Sequence, residues 1–136
     1  MANALFDAYR ENCLDSSAPD LSSLTIEAIG VDHADDTPVP ATDDFLDDIG
    51  AAARVGIWTP FASKTITAGV FDAADITDTA QSGDPYESIV IYEQSGSDAT
   101  ADLIAFIDTA TGLPFTPSGG DVTIQWDSGA SKIFKL

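Results

Sequence analysis

The chain has 136 residues with a single cysteine, and its 23 acidic against 5 basic side chains give a formal net charge of −18. This length predicts one domain that buries about two-thirds of the surface exposed by its unfolded chain. The lone Cys13 excludes an internal disulfide and a cysteine-cluster metal site, so we expect stability to come from apolar burial. Because the sequence has neither a long apolar run nor a secretory signal pattern, we expect a protein made in a cytoplasm.

The excess of carboxylates limits the classes of partner. Lys and Arg supply most of the affinity of proteins for phosphate backbones, and an acidic surface repels both nucleic acid and anionic lipid. The sequence therefore predicts no nucleic-acid partner and no membrane partner. An adaptation to a salty environment, in which screening suppresses self-repulsion, is a second explanation of the same composition.

The N-terminal segment, residues 1–20, is predicted to include a short amphipathic helix. Phe6, Tyr9 and Cys13 recur at helical spacing, and Asn3 is placed to cap the first turn. Two interpretations stay open. The helix packs on its own domain, or the segment is a helical arm that docks on a neighbouring subunit.

A first strand and a second short helix are predicted next. Leu24–Val31 is the strand, and His33–Pro40 is an acidic loop interrupted by prolines. Thr42 is expected to cap the helix, with Phe45 and Ile49 on its buried face.

Acidic residues gather in the two segments around this loop and helix. Oxygen ligands of this kind suit Ca²⁺ or Mg²⁺, although neither segment has the spacing of the calcium-binding helix-loop-helix. A solvated acidic face is the simpler interpretation, so we predict no bound cofactor. The candidate cation ligands are Asp32, Asp35, Asp36, Asp44, Asp47 and Asp48.

The middle of the chain predicts three further strands. They are Val55–Thr59, Thr65–Val70 and Asp75–Asp78, and Trp58 has apolar neighbours within the first of them. The polar residues 80–85 form the following loop.

The last third has the clearest strand patterns. Ser88–Tyr92 and Leu103–Ile107 are short apolar runs rich in β-branched residues, which is typical of strands covered on both faces. Val122–Trp126 instead alternates apolar and polar residues, as in a strand with one solvated face. The final segment, Ser131–Leu136, is predicted to be a charged edge strand.

Glycine and short polar residues separate these strands. Gln94–Ser97 and Asp127–Ala130 predict hairpin turns, and the proline-rich and glycine-rich residues 108–120 predict an ordered surface loop. About eight short strands with two minor helices predict a mainly β fold, an antiparallel β-sandwich or barrel-like domain over residues 1–136.

No arrangement of residues in the sequence predicts catalysis. His33 is the single histidine, and it lies in an acidic loop far from any Gly-x-Ser-x-Gly pattern. Two carboxylates could perform glycoside hydrolysis, but in so acidic a chain a pair on neighbouring positions arises by chance. We therefore expect a protein that is not an enzyme.

Several segments resemble a family of small tailed-bacteriophage virion proteins. The resemblance is most specific in Ile104–Pro114, Gly119–Asp121 and Trp126–Phe134. It continues more weakly upstream, in Thr25–Asp32, Asp44–Ile49, Ala53–Val55 and Lys64–Ile76. It implies a structural virion component made in the host cytoplasm, and it brings no catalytic motif.

The resemblance leads us to expect a capsid decoration or cement protein that lies on the outer shell and bridges subunits of the major capsid protein. Shell symmetry favours a dimer or trimer of the protein itself. Placement in the neck, the tail or a head-completion complex is the alternative. A wall-degrading enzyme with carboxylate chemistry is a further one.

Two segments poor in acidic residues are the candidates for the docking surface, because desolvating unpaired carboxylates is costly. One is the loop with Leu113 and Phe115, and the other is the final strand with Lys132 and Lys135. In the competing interpretation, the two apolar side chains cover the end of the sandwich and the strand pairs inside it.

Overall fold

The structure, a computed structural model, describes residues 3–136. It is mainly β, with antiparallel sheets in a sandwich-like arrangement and one short α-helix, so the predicted fold class is confirmed. Residues Leu46–Asp48 and Asp98–Thr100 each form a single 3-10 turn. The regular elements are β1 Ala4–Leu5, α1 Asp7–Asp15, β2 Ile26–Val31, β3 Arg54–Ile57, β4 Thr65–Thr67, β5 Val70–Asp72, β6 Ile76–Asp78, β7 Ser88–Glu93, β8 Leu103–Ile107, β9 Val122–Ile124 and β10 Phe134–Lys135.

The largest sheet has the strand order β1-β8-β7-β2-β3. A three-stranded sheet has the order β10-β5-β4, and β6 pairs with β9. Every pairing between these strands is antiparallel. The outermost strands β1 and β10 therefore each have an edge without a partner strand among the described residues.

The core lies on the central strands of the large sheet. Four consecutive residues, Leu103–Phe106, are buried in β8. Because successive side chains of a strand point to opposite faces, both faces of β8 are covered, as its apolar sequence predicts. In β9 the buried Ile124 lies between the exposed Thr123 and Gln125, which confirms the predicted alternation.

The ring of Tyr86 lies over two neighbouring strands at a position where both have a glycine. Gly30 in β2 and Gly56 in β3 are cross-strand partners. A Cβ atom added to Gly30 would lie 2.7 Å from Cγ of Tyr86, and one added to Gly56 would lie 2.8 Å from its Oη. The ring therefore occupies the space that these two side chains would fill, and Trp58 packs edge-on against it with 5.3 Å between ring centroids.

The predicted N-terminal helix is present but begins later than expected. Phe6, in an extended conformation, precedes α1, and the Asn3 side chain does not cap it. Instead, Asn3 Oδ1 accepts hydrogen bonds from the backbone N–H groups of Asp108 and Thr109 at 3.0 and 2.9 Å. These bonds hold β1 beside β8, a pairing that the helical spacing of the apolar residues concealed.

This N-terminal segment packs on the rest of the molecule. Phe6 and Tyr9 are buried in the core, and the ring of Tyr9 contacts that of Phe134 edge-on at 6.1 Å. The described part of this segment therefore contributes to the core of the chain.

The predicted second short helix is reduced to a single 3-10 turn. Only the 3-10 turn of Leu46–Asp48 forms, and Thr42 lies outside it. The Asp48 carboxylate accepts hydrogen bonds from the backbone N–H groups of Asp44 and Phe45, at 2.8 and 3.1 Å. This contact caps the turn, but Phe45 is extended and bridged to Asp102, and Leu46 N–H donates to the carbonyl of Ala101 at 3.0 Å, so no helix forms before Leu46.

Two strand predictions and one turn prediction, all from residue 65 onwards, also need correction. The predicted strand 65–70 is a hairpin, in which Ala68 and Gly69 form a two-residue turn with φ of 53° and 79°. Residues 127–130 do not join a hairpin, because β9 pairs with β6 and β10 pairs with β5. The final strand is also shorter than predicted, since β10 has two residues.

Candidate functional site

The candidate cation ligands do not come together. No three His, Cys, Asp or Glu side chains within residues 3–136 are arranged to hold a metal ion. Their carboxylates bind the backbone instead: Asp32 Oδ1 accepts from the N–H of Ala34 at 2.8 Å, and Asp36 Oδ2 accepts from that of Gly50 at 2.7 Å. Asp35, Asp44 and Asp47 are exposed. The arrangement stabilises loops, which is a structural use of these acids.

His33 also has structural contacts. Its Nε2 lies 2.8 Å from Oγ of Ser88, and its ring stacks on Phe106 with 6.2 Å between centroids. Because Ser88 is fully buried, its hydroxyl is not accessible to a substrate. The pair therefore fixes the loop after β2 to β7.

The carboxylates of Asp44, Glu93 and Asp102 form a small cluster, where β7 and β8 meet the loop before the 3-10 turn of Leu46–Asp48. Burial raises the pKa of Asp102, and the nearby Asp44 raises it further. The pKa of Glu93 is raised by burial and then by Asp102. Both groups therefore destabilise the fold when they are ionised.

The loop with Leu113 and Phe115 folds back on the domain. Phe115 exchanges backbone hydrogen bonds with Tyr86 at 2.7 and 2.9 Å, and the two rings are 5.7 Å apart. Leu113 and Phe115 are both half-buried against the core. Beside them is a cleft of about 240 Å³, which also contacts Trp58 and the strand β9.

The structure separates the two lysines of the final segment. Lys132 Nζ lies 3.7 Å from the carboxylate of Asp72 on β5. Lys135 is exposed on the edge strand β10 and forms no ion pair with any described residue. Of the two, only Lys135 presents a charge that is free to meet a partner.

Lys135 lines a groove of about 770 Å³ between α1 and the edges of β1 and β10, which we call the β1–β10 groove. Leu14 and Leu136 are 89% and 61% exposed there. No Asp or Glu side chain lines this groove among the described residues. Its lining residues are Asn3, Ala4, Leu5, Arg10, Cys13, Leu14, Lys135 and Leu136.

Sequence reasoning selected Lys135 but not Arg10 or Leu14. The sequence did offer one signal for Arg10 and Leu14, because residues four apart lie on the same face of a helix. The apolar stripe of Phe6, Tyr9 and Cys13 drew attention to the buried face instead.

Comparisons with known proteins give no family for this chain. No protein-family model matches the sequence, and no curated protein matches it. Within residues 3–136 there is also no helix of the length and apolar character needed to cross a bilayer. The class defined by the structure is a mainly β, sandwich-like protein with a single short α-helix.

Proposed function

We propose that the protein is a structural component of a tailed-bacteriophage virion, and that it decorates the outer shell by bridging subunits of the major capsid protein. Sequence resemblance supports this proposal, most specifically in Ile104–Pro114 and Trp126–Phe134. An acidic surface also suits a protein that faces solvent outside a DNA-filled shell.

The structural observation that most supports a docking role is the β1–β10 groove. On a chain with a net charge of −18, this surface has exposed leucines and two cations, and no Asp or Glu side chain is among its described lining residues. Exposed apolar surface of this kind is typical of protein interaction sites. The loop with Leu113 and Phe115 supports docking less, because those side chains are engaged with Tyr86.

The experiment that tests the function is quantitative mass spectrometry of purified particles, combined with cryo-electron microscopy of the shell. Hundreds of copies per particle with density on the capsid exterior are expected, since a shell offers many equivalent sites. A dozen or fewer copies, located at the neck or tail, would refute the decoration role and support the alternative placement. Absence of the protein from the particle would refute the virion role.

Two variants test the docking segments separately. Lys135→Glu is expected to fold normally, because its side chain is exposed, and to lower shell occupancy. Phe115→Asp is expected to lower the stability of the fold, because it places a charge against Tyr86. A folded Lys135→Glu protein that fills the shell at the native occupancy would exclude Lys135 from the interface.

We also propose that the protein forms a dimer or trimer when it acts on the shell. Several linked contacts raise the effective affinity of a decoration protein without improving any single contact. Sedimentation equilibrium over a wide concentration range measures this directly. A protein that stays monomeric at high concentration, and that binds shells as isolated monomers, would contradict the proposal.

A further inference from the structure

The β1–β10 groove differs chemically from the acidic character of the chain as a whole. Arg10 and Lys135 are two of only five basic side chains, and they line one groove in a sequence with 23 acids. Arg10 Nη1 lies 3.2 Å from the Asp7 carboxylate, but both side chains are more than half exposed. Exposed pairs of this type are weak, so the guanidinium can bind another carboxylate.

The apolar part of the groove lies between these charges. Leu14 and Leu136 are among the few large apolar side chains that the described residues leave mostly exposed. Leu5 and Cys13, which are half-buried, line the groove beside them. A ligand that fits the groove therefore has apolar groups next to negative ones.

Backbone geometry also favours an extended ligand. The groove runs beside β1 and β10, which are outermost strands of two different sheets. An adjoining hollow continues it between β8 and β10, lined by Phe106, Ile133 and Phe134 among others. Unpaired strand edges offer backbone N–H and C=O groups to an added extended segment.

We propose that the β1–β10 groove binds an extended, acidic and apolar segment of a partner protein, with its carboxylates at Arg10 and Lys135 and its apolar side chains against Leu14 and Leu136. Under the function proposed above, on which the choice of partner rests, that segment belongs to the coat protein. Asp7 lies 3.2 Å from Arg10, and Glu11 lines a neighbouring hollow together with Arg10 and Leu14. A partner carboxylate at Arg10 therefore displaces a weak, exposed contact, whereas Lys135 has no ion-pair partner among the described residues.

A second copy of this chain fits the groove less well. A two-fold contact would bring the same patch from each copy together, so Arg10 and Lys135 would face identical cations. Nucleic acid fits poorly as well, because two cations are few for phosphate binding and the remaining surface is strongly acidic.

The groove is tested first without any virion component. The probe is a fluorescein-labelled synthetic peptide of alternating Asp and Leu, and its binding to the full chain is measured by fluorescence anisotropy. Arg10→Glu and Lys135→Glu are each expected to weaken binding about tenfold, and added salt is expected to weaken it further. Lys64→Glu is the matched control, because Lys64 lies outside the groove, and its affinity is expected to be that of the native chain.

Three results of this experiment would overturn the proposal. They are no binding of the Asp-Leu peptide, equal binding of an alternating Lys-Leu peptide, and equal losses in all three variants. Leu14→Asp gives an independent check, because it adds a charge at a site that is 89% exposed and leaves the core intact. Ile66→Asp is its control, at a side chain that is 51% exposed on β4.

The partner is tested on particles with a photoreactive amino acid at position 14 or, as the control, at position 66. Crosslinking of position 14 to an acidic coat-protein segment, with none from position 66, is the expected result. Crosslinks from position 14 to a second copy of the chain would refute the proposal that the groove binds a coat-protein segment. Crosslinks to the coat protein from position 66 alone would refute it as well. If the chain is absent from particles, the proposed function fails, while the peptide experiment still decides whether the groove binds an acidic segment.

Discussion

Substituting Gly30 by alanine is the sharpest test of the packing around Tyr86. The new Cβ would lie 2.7 Å from two atoms of the ring, closer than non-bonded carbon atoms approach. Tyr86 and Trp58 are 1% and 2% exposed, so the ring cannot move outward without displacing its neighbours. We therefore expect strain in the core, because a shift of the ring would disturb its contacts with Trp58 and Phe115.

The expected cost follows from overpacking. Additional methyl groups in a well-packed core typically destabilise a protein by about 1–3 kcal/mol. Truncation of the ring in Tyr86→Ala should cost about 3–5 kcal/mol, the range seen for large aromatic side chains. In the double variant, Gly30→Ala with Tyr86→Ala, the added methyl group enters the space left by the ring. The double variant should therefore lose less stability than the sum of the losses in the two single variants.

The assay is urea unfolding followed by tryptophan fluorescence, because Trp58 packs against Tyr86. Gly120→Ala is the matched control, since a Cβ there meets nothing within 4 Å. It should change the free energy of unfolding by less than about 0.5 kcal/mol. If Gly30→Ala is as mild as this control, or if the two costs are additive, the contact between ring and glycine is refuted.

Three further substitutions have expected outcomes in the same urea assay. Asp102→Asn should stabilise the protein at pH 7 by removing a charge that burial and Asp44 disfavour. Because the pKa of Asp102 is raised in the folded state, this gain should shrink as pH falls through that pKa towards the ordinary value of 3.8, and a gain independent of pH would contradict it. Asn3→Ala should cost about 1 kcal/mol through the lost bonds to Asp108 and Thr109, and an unchanged stability would show that these bonds contribute nothing. Ala68→Asn should stabilise the hairpin by about 0.5–1 kcal/mol, because asparagine tolerates the positive φ better than alanine, and a loss of stability would contradict the turn geometry.

The strands that sequence reasoning predicted best are those whose environment is uniform along their length. Ser88–Glu93 and Leu103–Ile107 lie in the middle of the large sheet, so their apolar runs report burial on both faces directly. The hairpin of β4 and β5 was missed because Ala68 adopts a positive φ that its side chain does not favour. The pairing of β4 with Val70–Asp72 is local, and Gly69 in the turn was the one signal for it in the sequence.

The prediction of the second short helix differs from the structure for another reason. Thr42, the acidic first turn and the spacing of Phe45 and Ile49 are local signals that suit a helix. They do not reveal that Phe45 is bridged to Asp102 and that Leu46 N–H donates to the carbonyl of Ala101, which keeps Phe45 extended. The same limit applies to the β1–β10 groove, whose two cations lie 125 positions apart in sequence, at Arg10 and Lys135.

The pairing of β2 with β7 constrains how the chain folds as it leaves the ribosome. Ile26 pairs with Glu93, and all six residues of β2 have partners in β7. A nascent chain that ends before β7 therefore has no central strand on which β2 can assemble. Such long-range pairing makes folding slow and leaves apolar segments exposed in the meantime. The aspartates between the early strands are charged before the fold forms. Their repulsion opposes aggregation of incompletely folded chains.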